Sequence, residues 1–201
     1  MDLSTYTPKT ILQNIIKMLL EGVKNRHHSF HTPVFSNINF SNKINSRTVV
    51  LRKFAKEKNL LYFHTDFRST KVKEVIKKPN TYFVFYSNEE KIQLRINTIS
   101  KIHYNNRYTL EAWKQTKLSS RKCYLAKKTP GSKSKDDSDG IPKHLLGIDP
   151  EKKESEEGYK NFAVIESKID IIEWLFLSYK GHKRLVINLN ENKTKYQWVI
   201  P

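Results

Sequence analysis

The 201-residue chain is poor in cysteine and in long apolar runs, and each shortage excludes a class of protein. A single cysteine, Cys123, cannot form a disulfide within one chain or a cysteine-based zinc site. No apolar run approaches the roughly 18 residues of a membrane-spanning helix, and the N-terminus lacks the features of a secretory signal. The composition therefore predicts a soluble protein of a reducing compartment, by default the cytoplasm.

Acidic residues are scarce beside basic ones, with 20 Asp and Glu against 37 Lys and Arg and a net charge of +17. Such an excess attracts nucleic acids and other polyanions without selectivity. A dedicated nucleic-acid-binding protein concentrates its charge in a patch, whereas basic residues here are spread from Lys9 to Lys195. A compositional bias therefore explains the net charge better than a nucleic-acid partner does, and nucleic-acid binding is kept as a third hypothesis.

What the chain has is enough apolar sequence for one domain, since 37% of its residues are hydrophobic. Helical periodicity over residues 7–23, with Thr7 as cap and Pro8 in the first turn, predicts an amphipathic helix packed on the core. Alternating or β-branched runs predict strands at residues 32–40, 49–51, 60–64, 81–87, 92–104, 162–177, 182–189 and 195–201. The pattern predicts a mainly β (α+β) domain, a closed antiparallel barrel with flanking helices.

One stretch, from Ser46 to Lys71, has the character of an anion site. Two short apolar runs lead to Ser69, a plausible N-cap for a helix whose apolar positions would be Val72, Val75 and Ile76. The free N–H groups of that helix, two hydroxyls and the charges of Lys71 and Arg47 would suit a phosphate. The alternative is a surface hairpin followed by an ordinary capped helix.

Two further patterns concern the rest of the domain, which we take as a single unit over residues 1–201. Small and charged residues predict a mobile insertion around residues 127–158. Alternation in two later strands separates a polar face from an apolar one. The first face carries the polar residues Gln93, Arg95, Asn97 and Glu173, together with Leu175 and Leu177. The second, apolar face carries Ile92, Leu94, Ile96, Ile172, Trp174 and Phe176.

Three short motifs follow one another in the first half of the chain. They read RTVVLR over Arg47–Arg52, FHTDFRSTK over Phe63–Lys71 and QLR over Gln93–Arg95. This order and spacing resembles the FMN-binding split-barrel family of pyridoxamine 5'-phosphate oxidase and its relatives. Trp113, Ser119–Arg121 and the Glu173, His182 and Arg184 positions continue the likeness, which is nearer to an oxidase-related subfamily than to the oxidase itself.

The resemblance implies an antiparallel six-stranded split β-barrel, an FMN cofactor and a homodimer with the flavin at the subunit interface. It implies that FMN contacts are made by Arg47, Val49, Val50, Arg52, His64, Thr65, Ser69, Thr70, Lys71, Gln93, Trp174 and Arg184. The last two would come from the second subunit, and whether Trp174 or Leu175 faces the flavin stays open. We expect the faces carrying Trp174, Phe176 and the strand Tyr82–Tyr86 to be buried between subunits.

Departures from the family pattern bear on the substrate. Thr70 replaces an arginine that would contact the phosphate, and Ala112 and Thr116 stand where the oxidase has the tyrosine and arginine that clamp its substrate. A vitamin B6 phosphate is therefore not the expected substrate. The resemblance places Ser120, Arg121, Lys180 and His182 on the substrate side. For Ser120 and Arg121 a helix-end hydrogen-bond network is the alternative, and the sequence leaves both roles open.

The leading hypothesis is an FMN-dependent oxidoreductase of unknown substrate, with no catalytic residue assigned. A non-catalytic flavin-binding or sensing module, or a degenerate split barrel without cofactor, is the alternative that Thr70 motivates. The neighbouring His27, His28 and His31 lack carboxylate or cysteine partners at ligand spacing, so no metal site is predicted.

Overall fold

The computed structural model of the protein describes residues 7–189 and 193–201. Its α-helices are α1 (Pro8–Lys24), α2 (Thr70–Lys77), α3 (Arg107–Gln115), α4 (Leu118–Arg121) and α5 (Lys152–Ser155). Its strands are β1 (Val34–Ile38), β2 (Ile44–Thr48), β3 (Lys53–Ala55), β4 (Leu60–Asp66), β5 (Asn80–Ser87), β6 (Ile92–Tyr104), β7 (Phe162–Phe176), β8 (Lys183–Asn188) and β9 (Lys195–Val199).

The predicted N-terminal helix is confirmed as α1. The Thr7 hydroxyl accepts from the Thr10 N–H at 3.2 Å and the Thr10 hydroxyl accepts from the Thr7 N–H at 2.9 Å, so the two residues form a capping box at the N-terminus of the helix. The helix buries an apolar stripe against the sheet, namely Ile11, Ile15, Met18, Leu19 and Gly22. No helix within residues 7–189 or 193–201 is long and apolar enough to cross a membrane.

All strand pairs are antiparallel, in the order β2-β1-β5-β6-β7-β4-β3, with β8 beside β7 and β9 beside β8. The fold class is thus as predicted, but the sheet has nine strands rather than six. It is also not closed, because the described strands include no pairing between β2 and β3. The long β7 pairs with β6 throughout, with β4 along its first half and with β8 along its second.

The alternation predicted for β6 and β7 is confirmed by burial. Leu94, Ile96, Ile172 and Trp174 are at most 2% exposed and belong to the main core. Their neighbours point to the outer face of the sheet and remain half-buried, namely Gln93, Arg95, Asn97, Glu173 and Leu175.

This burial corrects the apolar surface that we expected between subunits. Trp174 and Phe83 are at most 1% exposed and lie in the core of one chain. Within Tyr82–Tyr86 of β5, only Tyr82, Val84 and Tyr86 reach the outer face, because side chains alternate along a strand.

Two local predictions around the anion stretch are wrong. Residues 49–51 are not a strand but cross between β2 and β3, with the Leu51 N–H bonded to the His31 carbonyl at 2.8 Å. In α2, Val72 and Val75 are buried as predicted, whereas Ile76 is 63% exposed. Glu74 takes the buried place instead, because a polar partner on β1 stabilises its carboxylate.

Residues 107–125 form α3, α4 and a 3₁₀ turn at Lys122–Leu125. The insertion that follows is mostly irregular up to residue 151, apart from a 3₁₀ turn at Lys143–Leu145. Its end, α5 and the 3₁₀ segment Glu156–Asn161, packs beside a second core cluster of Tyr62, Trp113, Tyr124, Phe162 and Val164. Mobility of residues 127–158 stays a prediction.

The close approach of α1 to the loop after it gives a test of the packing. A Cβ on Gly22 would lie 2.8 Å from the Phe30 carbonyl carbon and oxygen, which are backbone atoms and cannot move aside easily. We expect Gly22→Ala to lower the free energy of unfolding by about 1 to 3 kcal/mol, despite the better helix propensity of alanine. Urea unfolding measures it, with the exposed α1 position Gln13→Ala as control. An unchanged or raised stability of Gly22→Ala would contradict this packing.

Candidate functional site

Polar side chains converge where β4 ends and α2 begins. Ser69 is only 4% exposed, and its hydroxyl does not cap the helix. The Lys71 ammonium instead donates to the Ser69 hydroxyl at 3.1 Å, and the Thr65 hydroxyl lies 3.5 Å from the same oxygen. Arg47, which comes from β2, lies close enough to Lys71 for its charge to lower the Lys71 pKa. We call Arg47, Thr65, Ser69 and Lys71 the anion cradle.

The electrostatics of the anion cradle favour a negative ligand. Burial lowers the pKa of Lys71, the neighbouring charge of Arg47 lowers it further, and the carboxylates of Asp66 and Glu74 oppose both effects. Burial also lowers the pKa of Arg47, against the raising effect of Glu74. Two cations thus lie close together and partly out of water, which an anion between them would stabilise.

The donors of the anion cradle are of the kinds that bind a phosphate. A guanidinium and an ammonium supply charge-assisted hydrogen bonds, two hydroxyls add neutral ones, and the first N–H groups of α2 have no acceptor within the helix. Thr70 is the first residue of α2 and its side chain is exposed. The residues present therefore fit the phosphate of FMN, with Arg47 and Lys71 as the two cations.

A second group of predicted residues lines a cavity of about 320 Å³. The wall combines ring-side positions from before β3 and from β4 with residues around α4. They are Val50, Arg52, His64, Thr116, Ser119, Ser120, Cys123 and Tyr124. Val49 packs against the main core instead, because successive residues of this extended segment point to opposite sides.

His64 is a neutral member of this cavity. Burial lowers its pKa to about 3, and the positive charge of Arg52 contributes to the shift. Its ring makes an edge contact with Phe162 at 4.8 Å between centroids. The imidazole therefore offers hydrogen bonding without charge, while Arg52 supplies a cation.

Sequence reasoning did not place Thr116 and Cys123 in the cavity. The sequence excludes Cys123 from an internal disulfide and from a cysteine-based zinc site, and burial raises the pKa of its thiol, which disfavours the reactive thiolate. Both residues flank the Ser119–Arg121 motif, and Thr116 also stands where the oxidase has a substrate-binding arginine, so these two signals could have identified them.

Arg121 is a structural member of the same region. It is 4% exposed and lies over the Trp113 ring, with 4.6 Å between the guanidinium carbon and the ring centroid. Its guanidinium donates to Glu156 at 2.6 Å, to the Trp113 carbonyl at 2.7 Å and to the Thr116 carbonyl at 3.1 Å. Of the two roles left open for Arg121, the structure shows the helix-end hydrogen-bond network.

The remaining predicted residues lie on the outer face of the sheet. Gln93, Leu175 and Arg184 are neighbours across β6, β7 and β8. Arg184 donates to the Glu173 carboxylate through Nε at 3.1 Å and also through Nη2. Trp174 is 1% exposed on the opposite, core side, so Leu175 is the residue that shares a face with Gln93 and Arg184.

The two tentative substrate positions before β8 are both exposed. Lys180 lies near the Tyr179 ring, and the His182 Nδ1 accepts from the Ser178 N–H at 3.1 Å. Neither contacts the cavity lined by Arg52 and His64. No group of three or more His, Cys, Asp or Glu residues in the described part of the chain is placed to hold a metal ion.

One chain does not bring all predicted FMN contacts together. Thr65 of the anion cradle pairs with Ala163 on β7, whereas Gln93 pairs with Leu175 on the same strand. Twelve residues of β7 separate these two points, which corresponds to about 40 Å along a straight strand. The anion cradle and the Gln93–Arg184 group therefore occupy opposite ends of β7.

The family of pyridoxamine 5'-phosphate oxidase FMN-binding domains matches residues 12–103, which include all three sequence motifs. No curated protein matches the chain.

Solved structures share the fold along the whole chain. A pyridoxamine 5'-phosphate oxidase-related, FMN-binding protein from Nostoc punctiforme aligns with a TM-score of 0.76 and 17% identity, covering 98% of this chain and 100% of that one. PhzG from Burkholderia lata, solved with tetrahydrophenazine-1-carboxylic acid, aligns with a TM-score of 0.67 and 15% identity over 100% and 95%. Residues 12–103 therefore match the pyridoxamine 5'-phosphate oxidase FMN-binding domain family, and the whole chain shares the split-barrel fold of these solved structures.

Proposed function

We propose that this protein binds FMN through the anion cradle and is an FMN-dependent oxidoreductase. The observation that carries the proposal is the pair of partly buried cations, Arg47 and Lys71, beside Ser69 at the start of α2. Two like charges in that position are costly unless an anion pairs with them, and a phosphate carries close to two negative charges at neutral pH.

The ring of the cofactor would lie against the neighbouring cavity. Val50, Arg52 and His64 form the wall nearest the anion cradle in sequence, and Thr116, Ser119 and Ser120 form the other wall. When bound, FMN supplies one- and two-electron redox chemistry. Arg52 provides a guanidinium cation, which favours negative charge on the bound ligand.

The cavity wall formed by Thr116, Ser119 and Ser120 supports a substrate whose charge differs from that of a vitamin B6 phosphate. Thr116 and Ser120 carry hydroxyls, and Ala112 packs against the second core cluster. The Thr116 hydroxyl also donates to the Ala112 carbonyl at 2.8 Å. Since this wall offers no cation to a phosphate, we propose a substrate that is bound there by neutral hydrogen bonds.

We further propose a homodimer with FMN between the chains. Gln93 and Arg184 lie too far along β7 from the anion cradle to contact one FMN within the same chain. A second copy related by a two-fold axis can place these residues at the anion cradle of its partner, and the contact is then reciprocal. Leu175, rather than the buried Trp174, would accompany them.

The outer face of the sheet supports this assembly. It combines half-buried or exposed apolar side chains with a charge network in which Glu173 accepts from Arg184 and lies 3.5 Å from Arg95. The apolar members include Val34, Tyr82, Val84, Tyr86, Leu175 and Val186. A continuous face of this kind is typical of a surface that is buried in an assembly.

The anion cradle predicts a ligand-selective loss of affinity. Lys71→Ala should weaken FMN by roughly 1.5 to 3 kcal/mol, the size of a lost charge-assisted hydrogen bond, and should leave riboflavin nearly unchanged because riboflavin has no phosphate. Fluorescence titration measures both ligands. Lys73→Ala, an exposed change two residues later in α2, is the matched control. Equal losses for FMN and riboflavin would mean that Lys71 supports the fold and not the phosphate.

The lowered pKa of Lys71 predicts a pH dependence of FMN binding. Burial and Arg47 make the free ammonium lose its proton below its usual pKa of 10.5, whereas a bound phosphate would retain that proton. FMN affinity should therefore fall as pH rises through the lowered pKa of the free protein. The ratio of FMN to riboflavin affinity cancels titration of the shared ring. In Lys71→Arg this alkaline loss should disappear, and its persistence would exclude Lys71 as the group responsible.

The shared site predicts that FMN stabilises the dimer, because it would bind the assembled site and not the separated chains. Sedimentation at high salt, with and without FMN, should show a dimer whose dissociation constant falls when FMN is present. Tyr86→Glu, on the outer face, should shift the protein to monomer and weaken FMN, whereas the exposed Leu146→Glu in the insertion should do neither. A wild-type monomer that binds one FMN would reject the shared site.

A further inference from the structure

A buried polar pair lies directly behind the anion cradle. Asn37 on β1 is 2% exposed and Glu74 on α2 is 4% exposed. The Asn37 Nδ2 donates to the Glu74 Oε2 at 2.8 Å, and the Arg47 Nη1 donates to the Asn37 Oδ1. The three side chains thus form one continuous hydrogen-bonded row from the helix to the guanidinium.

Only one orientation of the Asn37 amide matches every donor of this row with an acceptor. An ionised carboxylate accepts hydrogen bonds and donates none, so Glu74 must face the NH₂ group of the Asn37 amide. The amide oxygen is then turned towards Arg47, which can only donate. A flipped amide would set two donors against each other at Arg47 and two acceptors against each other at Glu74. Glu74 therefore determines which way Asn37 points.

The result is a fixed guanidinium with free donors. The Asn37 oxygen holds one nitrogen, and the Phe35 ring lies 5.8 Å from the guanidinium carbon. The other donors of Arg47 have no hydrogen-bond acceptor among residues 7–189 and 193–201. Glu74 also opposes the effect of burial on both Arg47 and Lys71, and so favours their charged forms.

We propose that Asn37 and Glu74 are positioning residues for phosphate recognition, acting through Arg47. This inference rests on the proposed binding of FMN at the anion cradle. A guanidinium that is oriented before the ligand arrives loses less side-chain entropy on binding, and an unheld arginine would have to be ordered at that moment. A buried carboxylate is costly to a fold, and this role accounts for its presence on the inner face of α2.

The test removes the pair without leaving either partner unpaired in the core. In the double variant Asn37→Leu with Glu74→Met, both groups are replaced by apolar side chains of similar size, and Arg47 loses its acceptor. We expect FMN to bind roughly tenfold more weakly, the effect of a lost charge-assisted hydrogen bond, with riboflavin changed by less than about twofold. Glu74→Gln is a milder second variant, since glutamine has the same size but its amide can donate as well as accept and no longer determines the direction of Asn37, and it should show the same selectivity.

A double-mutant cycle separates positioning from general support of the fold. In an Arg47→Ala background, the same changes at Asn37 and Glu74 should cause no further loss of FMN affinity, because their effect passes through the missing guanidinium. Equal losses for FMN and riboflavin, or an undiminished loss in that background, would overturn the positioning role and leave the anion cradle intact. A wild-type protein that fails to bind FMN would overturn the proposed function and this inference together.

Discussion

The pairing of β7 with three other strands is the constraint on which the arrangement of the site depends. Of its 15 residues, 13 pair with β6 between Ala163 and Phe176, while β4 pairs near its start and β8 near its end. Strand pairing fixes side-chain position to within one residue, because a shift by one residue moves every side chain to the other face. β7 therefore decides that Thr65 and Arg184 lie at opposite ends of the sheet, and that Leu175 shares a face with Gln93.

The anion cradle shows how the fold keeps positive charge in a partly buried place. Burial works against the charged forms of Arg47 and Lys71, and each of these cations also disfavours the other. The chain offsets this with the carboxylate of Glu74, which acts through the Asn37 amide and does not occupy the ligand side. A carboxylate in direct contact with both cations would neutralise them but would also take the place of a phosphate.

The cavity beside the anion cradle depends on a different set of contacts. Arg121 donates hydrogen bonds to the Trp113 carbonyl near the end of α3, to the Thr116 carbonyl and to Glu156 near the end of the insertion. It thereby joins these three segments next to the cavity. The Trp113 Nε1 donates to the same Glu156 carboxylate at 2.8 Å. The insertion thus contributes to the site indirectly, since its last turn holds the helices that present Ser119, Ser120 and Cys123.

The sequence by itself determined the features that depend on neighbouring residues. Capping by Thr7, the alternation of β6 and β7, and the closeness of Thr65, Ser69 and Lys71 all follow from short-range periodicity and turn chemistry, which a window of a few residues contains. The motif order was enough to identify the fold class and the cofactor of the family. Only the tertiary structure decided which residues of distant segments meet. Strand pairing and packing between segments tens of residues apart bury Glu74 against Asn37, place Trp174 in the core and place Cys123 on the cavity wall. The same long-range contacts produce the open nine-stranded sheet, and no local pattern encodes them.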